Sequence, residues 1–234
     1  GLITLKGTKY LANIMFVLGL LTAAGILYTS YLNTGSTSNA YHAAIIALIG
    51  VLIGYFYTAK PIKLSSRYGL GEISIFLAFG PLLTLGTGFS IAAETIILYS
   101  NEFYNLLILG IPIGLLTTNI LFINQFPDYT SDKKVGKNHL VVLLGKKTSR
   151  WIYALNFAIA VGSLYFISEN IVNDTQGLFF LYLIIPITMI YSFYLISVLF
   201  KYYNSRELIK YNIHTIYFHM FFSFVYMIIL ANFQ

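Results

Sequence analysis

Three side chains near the middle of the sequence have the types and spacing to hold a hard cation. Asn124, Asp128 and Asp132 recur every four residues, and residues four apart share one face of a helix. If the apolar run before them continues as a helix past Phe126, two carboxylates and an amide oxygen stack on one stripe. An oxygen-only cluster of this kind suits Mg2+, which uses one or two carboxylates and completes its shell with water and substrate phosphates. Lys133, Lys134 and Lys137 follow at once, with Gly136 among them, and supply positive charge beside such an ion. Taken alone, a Lys-rich loop with two aspartates fits equally a solvated connection whose surface ion pairs contribute little.

A second stretch, residues 57–72, changes that reading. Lys60, Lys63 and Arg67 lie among Ser65, Ser66, Gly69 and Gly71. Point charges, a planar guanidinium, hydroxyls and open backbone amides together fit phosphate oxygens. Pro61 is expected to stop the helix before it, and Glu72, beside the glycine-rich turn, to stabilise a helix N-terminus. No strand precedes Gly69-Leu70-Gly71, so the glycines are not a dinucleotide fingerprint. The two loops read as opposite walls of one site for a metal-diphosphate.

The elements that must position these loops are membrane helices. The chain has 234 residues, 58% hydrophobic, 17% aromatic and only 9% charged, with mean hydropathy +0.77. Fourteen Lys and Arg with eight acids cannot cover the surface of a soluble protein of this size, which excludes a soluble enzyme. There is no cysteine, which removes disulfides, thiolate metal sites and cysteine nucleophiles. Seven apolar runs, at 10–31, 41–58, 73–98, 103–126, 151–168, 178–200 and 213–231, carry no Lys or Arg. Each is long enough to cross about 30 Å of hydrocarbon as a helix. They are apolar all round, unlike the alternating ten-residue segments of a membrane barrel. The fold predicted is all-α, a polytopic transmembrane helical bundle forming a single domain over residues 1–234.

Seven crossings sort the charge. All 14 Lys and Arg fall on one side with Glu72, Asp128, Asp132 and Glu207, net +10; Glu94, Glu102, Glu169 and Asp174 fall at or near the other, net −4, and together they restore the overall +6. The positive-inside rule makes the basic side cytoplasmic, in a multi-pass protein of the plasma membrane of a prokaryote. The basic excess then reports topology and anionic lipid headgroups, with no call for nucleic acid.

At the residues of the two loops the sequence resembles the UbiA superfamily of intramembrane aromatic prenyltransferases, in the branch that includes 1,4-dihydroxy-2-naphthoate polyprenyltransferase of menaquinone synthesis. The resemblance is strongest at Tyr57-Thr58-Ala59-Lys60-Pro61, at Gly69-Leu70-Gly71-Glu72 with Phe79-Gly80-Pro81-Leu82, and from Asn124 to Gly136 followed by Leu143-Leu144-Gly145. It implies that Asn124, Asp128 and Asp132 correspond to the family's second aspartate motif and bind Mg2+. It implies also that Tyr57, Lys60, Lys63 and Arg67, with Asn124, Lys133 and Lys137, meet the diphosphate of a polyprenyl diphosphate donor. Arg67-Tyr68-Gly69 departs from the Tyr-Arg-Gly order of the family. Asp128, Asp132, Lys60 and Tyr57 are the catalytic candidates, and the partners implied are the donor, an aromatic quinone precursor and the lipid bilayer. The family has nine helices and a first Asp-rich motif after its second, whereas no Asp or Glu precedes Glu72 here; seven spans out of nine lead one to expect an N-terminally incomplete domain. A non-catalytic membrane homologue and, from a different class, a secondary transporter stay open as alternatives.

Lesser expectations complete the reading. Tyr55, Phe56, Tyr57 and Phe126 lie at a depth where aromatic faces could shield a carbocation or simply form an interfacial belt. His139 reads as a diphosphate contact or, by preference, an ordinary loop residue, and His214 and His219 as polarity at a helix end. Glu94 lies inside the third span. Pro81, Pro112 and Pro186 are expected to kink or break helices.

Overall fold

The computed structural model describes residues 4–35, 37–92 and 94–231. Within them, helices account for every crossing, as they must where the bilayer offers no partner to a free backbone amide or carbonyl. In chain order they are α1 (Leu5–Thr34), α2 (Thr37–Thr58), α3 (Leu70–Phe79), α4 (Pro81–Ile91), α5 (Asn101–Lys134), α6 (Leu140–Leu144), α7 (Lys146–Asn170), α8 (Thr175–Tyr202) and α9 (Ile209–Ala231). Seven membrane-crossing segments result, with α3 and α4 together making the third and the short α6 lying in a loop. The bundle is therefore all-α and polytopic, as the runs of apolar residues required.

Local chemistry sets the ends. Thr4 Oγ1 accepts the Gly7 amide at 3.1 Å to open α1, Ser100 Oγ accepts that of Phe103 at 3.3 Å to open α5, and Asp174 Oδ2 accepts that of Gly177 at 2.8 Å to open α8. These are N-caps, each satisfying a backbone donor that the first helical turn leaves free.

The third span breaks at Gly80–Pro81, as expected of Pro81, but ends at Ile91, short of its expected bound, so Glu94 lies in the connection beyond it, not inside a helix. The break is built against α5. A Cβ on Gly110 would stand 2.5 Å from the Gly80 carbonyl carbon, and one on Gly114 would stand 2.7 Å from the Phe76 carbonyl oxygen. Gly110 and Gly114 thus form a small-xxx-small face that lets backbone meet backbone. Thr84 Oγ1 crosses the same contact to donate to the Leu106 carbonyl at 2.7 Å. Pro112 and Pro186, by contrast, lie inside the continuous α5 and α8.

α5 is the axis of the molecule, packing against α3, α4, α7 and α9, while α8 closes on α7 and α9. Its fully buried Phe122, Ile123 and Phe126 meet Tyr153, Phe157, Phe222 and Tyr226 in one core. Phe126 belongs wholly to that core, which removes it from the set of rings that could face a cation at the mouth. A second, much smaller cluster of Ala43, Leu85 and Phe89 joins α2 to α4.

Candidate active site

The condition on which the aspartate stripe depended is met: α5 runs unbroken past Phe126 and through Pro127 to Lys134. Asn124, Asp128 and Asp132 therefore occupy successive turns of one helix at its C-terminal mouth. Asp128 is exposed and has no ion pair among the described residues. Asp132 is more enclosed, with its Oδ1 2.7 Å from Lys137 Nζ and its Oδ2 3.2 Å from His139 Nε2. Asn124 turns its Oδ1 toward α9, where Asn212 Nδ2 donates to it at 2.6 Å. Its carbonyl oxygen is thus shared with a neighbouring helix and not held clear for an ion.

The basic loop leaves α2 after Thr58 and turns through a 3-10 segment, Leu64–Ser66, into α3. Lys60 and Lys63 are exposed, without an ion pair among the described residues. Arg67 is exposed as well, but its Nη2 donates to the Pro61 carbonyl at 2.7 Å, so part of the guanidinium closes its own loop. Tyr57 stands half-buried in the last turn of α2. On the other loop Lys133 lies over the Tyr129 ring, 5.7 Å from its centroid, and Lys146 lies over the same ring at 5.5 Å.

The two loops are held against each other, and the bonds that do this escape a sequence reading. The Asn138 amide donates to the Ser66 carbonyl at 3.0 Å, within an isolated parallel bridge between Arg67 and Asn138. Glu72 lies beneath, only 3% exposed. Its Oε1 accepts Gln125 Nε2 at 2.9 Å and the Leu140 amide at 3.0 Å. Glu72 does stabilise a helix start: it lies in the first turn of α3 and also receives the first amide of α6, 68 residues away. Gly69, at φ +81°, keeps the seam closed, since a Cβ there would stand 2.7 Å from Leu140 Cδ2.

His139 corrects its expectation. It is buried, 2% exposed, and its Nδ1 accepts the Val142 amide at 3.4 Å as the N-cap of α6 while Nε2 faces Asp132. His219 departs from its expectation too. Well inside α9, its Nε2 meets Thr117 Oγ1 of α5 at 2.8 Å, a cross-helix bond and not end polarity. The signal available for His139 was its place seven residues after Asp132; for Glu72, an acid beside glycines with no basic neighbour to pair with.

A cavity of about 610 Å3 lies apart from this mouth, between α1, α2 and α4. Its walls are mostly apolar, with small residues among them such as Ala23, Ala43, Ala47, Gly50 and Gly86.

Chemically, the mouth offers oxygen donors to a hard cation and ammonium groups to an anion. Among the described residues no three His, Cys, Asp or Glu side chains form a metal cage. Asp128 and Asp132 alone are two carboxylates, the number with which Mg2+ is commonly held when water and phosphate complete its shell.

The sequence matches the UbiA prenyltransferase family over residues 1–225. It is 31% identical over 123 residues to 1,4-dihydroxy-2-naphthoate octaprenyltransferase of Bacillus subtilis (strain 168), covering 53% of this chain and 37% of that protein. To 2-carboxy-1,4-naphthoquinone phytyltransferase of Synechocystis sp. it is 34% identical over 127 residues, again 53% of this chain and 37% of the relative. To 1,4-dihydroxy-2-naphthoate octaprenyltransferase of Escherichia coli (strain K12) it is 38% identical over 96 residues, 41% of this chain and 28% of the relative. The matched segments thus span well under two thirds of these relatives' own length. No solved structure matches the chain significantly. With a family match over nearly its whole length, on an all-helical membrane bundle, the chain belongs to the UbiA prenyltransferase family.

Proposed function

We propose that the protein transfers a polyprenyl group from a polyprenyl diphosphate to an aromatic quinone precursor, with 1,4-dihydroxy-2-naphthoate as the acceptor. One observation carries the reading: a helix mouth bearing Asp128 and Asp132 is bonded, through Ser66–Asn138 and Glu72, to the loop bearing Lys60 and Lys63. The acceptor is inferred from relatives whose names specify a naphthoate or a naphthoquinone.

In this reading Asp128 and Asp132 would hold Mg2+, with Asn124 one turn below. When bound, the ion supplies positive charge to a departing diphosphate. Lys60 and Lys63 bind diphosphate oxygens from the facing loop, and their charge stabilises the leaving group as negative charge builds on it. Arg67, Lys133 and Lys137 contribute to the same field from the rim. The bond between the allylic carbon and the diphosphate oxygen breaks with its electron pair going to oxygen. An electron-rich ring carbon then attacks the allylic cation; at the carboxyl-bearing carbon of a naphthoate, CO2 departs and its bonding pair restores the aromatic ring. Tyr57, at the inner end of the basic loop, offers a ring to the cation. The apolar cavity between α1, α2 and α4 takes the far end of the isoprenoid chain. The basic ends of the helices face the cytoplasm.

The test is transfer of a labelled polyprenyl group to 1,4-dihydroxy-2-naphthoate in membranes containing the protein. Dependence on Mg2+, and loss of transfer in both Asp128→Ala and Asp132→Ala, are expected. Full activity in both variants overturns the assignment of the site.

A further inference from the structure

We infer that His139 is a positioning residue for Asp132, fixing that carboxylate in the orientation in which it meets a divalent cation. The inference rests on the metal-diphosphate reading of the mouth.

The hydrogen bonds determine the state of the imidazole. The Val142 amide can only donate, and it points at Nδ1. Nδ1 is therefore the unprotonated nitrogen, and the proton sits on Nε2, 3.2 Å from Asp132 Oδ2. A neutral ring with that tautomer is a directed donor to one carboxylate oxygen.

Burial makes this contact different from the other one that Asp132 makes. The Lys137 side chain is 47% exposed and that of His139 2%. An exposed lysine on a flexible stem is a weak partner and is free to swing toward an incoming anion. The imidazole has no such freedom: its backbone precedes Leu140, whose amide is tied to buried Glu72. Oδ2 is thus the oxygen that is held and Oδ1 the one that can exchange Lys137 for an ion. Asp128 has no comparable support, so the two carboxylates are not equivalent. Partners that orient a metal ligand in this way typically contribute about 10–100-fold to metal affinity.

Two substitutions separate the two bonds. His139→Asn places an amide oxygen where Nδ1 was and keeps the cap on Val142, but it is too short to reach Asp132. His139→Gln places an amide N–H near the position of Nε2. The measurement is Mn2+ affinity, read from the EPR signal of the free ion and competed with Mg2+. The whole chain is used in lipid nanodiscs, with geranylgeranyl S-thiolodiphosphate present as a non-ionising donor analogue. His139→Asn is expected to weaken binding by about 10–100-fold and His139→Gln to restore it to near the wild-type value. In an Asp132→Asn background, His139→Asn is expected to change nothing further. Wild-type affinity in His139→Asn overturns the inference and leaves the metal-diphosphate reading standing. A weak His139→Gln, or an additive effect in the Asp132→Asn background, overturns the donor role. Failure of the wild type to bind Mn2+ overturns the reading and the inference together.

Discussion

The half of the molecule built from α5, α7, α8 and α9 and the half built from α1, α2 and α4 are equally apolar in sequence but differ in how they are held. Half of the most apolar stretch of α5 is buried and none of that of α1. Hydrophobicity does not separate them, because lipid tails are as apolar as leucine and give helices no reason to prefer one another. What separates them is the small number of polar groups and glycines that only another helix can satisfy. Around α5, Asn119 donates to the Tyr153 carbonyl at 3.2 Å and accepts from Asn156 at 2.8 Å. His219 meets Thr117, and Tyr226 donates to the Leu109 carbonyl at 3.1 Å. Asn212, His219 and Tyr226 stand seven residues apart on α9, so these bonds repeat along one seam, the spacing at which two helices stay in register. In the other half, contacts of this kind concentrate near one end: Ser30 donates to the Phe89 carbonyl at 3.3 Å, and Asn39 donates to the Glu94 carbonyl at 2.9 Å and accepts the Ile96 amide at 3.0 Å. The same helices line the 610 Å3 cavity. The tightly packed half carries the aspartates and the other half carries the cavity.

Substitutions in the two halves should therefore fail differently. The largest effect is expected of Gly110→Val, which drives a branched side chain into the backbone at Gly80–Pro81. Overpacking typically costs about 1–3 kcal/mol and occasionally more, and contact with backbone puts this site at the upper end; loss of the folded fraction in mixed micelles would register it. A stable Gly110→Val protein would show that the α3–α4 break does not depend on this contact. Next, Asn119→Ala removes two interhelical bonds in the packed half. At about 0.6 kcal/mol each, and at most about 1.7, roughly 1–2 kcal/mol of unfolding free energy should go. Smallest in stability is Gly50→Leu in the half with the cavity, where a Cβ meets nothing within 4 Å. Unfolding should move by less than about 0.5 kcal/mol, while the longest polyprenyl donor accepted becomes shorter. An unchanged preference for donor length would take the chain out of this cavity.

The parts of this architecture that were legible in the sequence are those the bilayer or a single helix dictates. A crossing needs about 20 apolar residues, so seven spans could be counted. Three polar residues at intervals of four share a face as soon as α5 continues, so the stripe of Asn124, Asp128 and Asp132 followed. Glu72 and His219 have partners far along the chain, which no local pattern reveals. Glu72 takes the Leu140 amide 68 residues away and His219 meets Thr117 across 102. His139, whose partners are near in sequence, reads as a loop residue until α6 starts at it and sets its ring against Asp132. The break at Gly80–Pro81 was legible from Pro81, whereas the end of α4 at Ile91, which leaves Glu94 outside its span, was not.

The reading of the mouth is tested most directly by equilibrium binding of a farnesyl S-thiolodiphosphate to the chain in nanodiscs, with and without Mg2+, in the wild type and in Asp128→Ala. Asp128 is exposed on the last turns of α5, and among the described residues its carboxylate has no ion pair, so this variant is expected to keep its structure. Binding that requires Mg2+ and falls by about 100-fold in Asp128→Ala, equivalent to about 2.7 kcal/mol, is expected. Equal affinity in the two proteins, or binding indifferent to Mg2+, would contradict a metal-diphosphate site between the two loops.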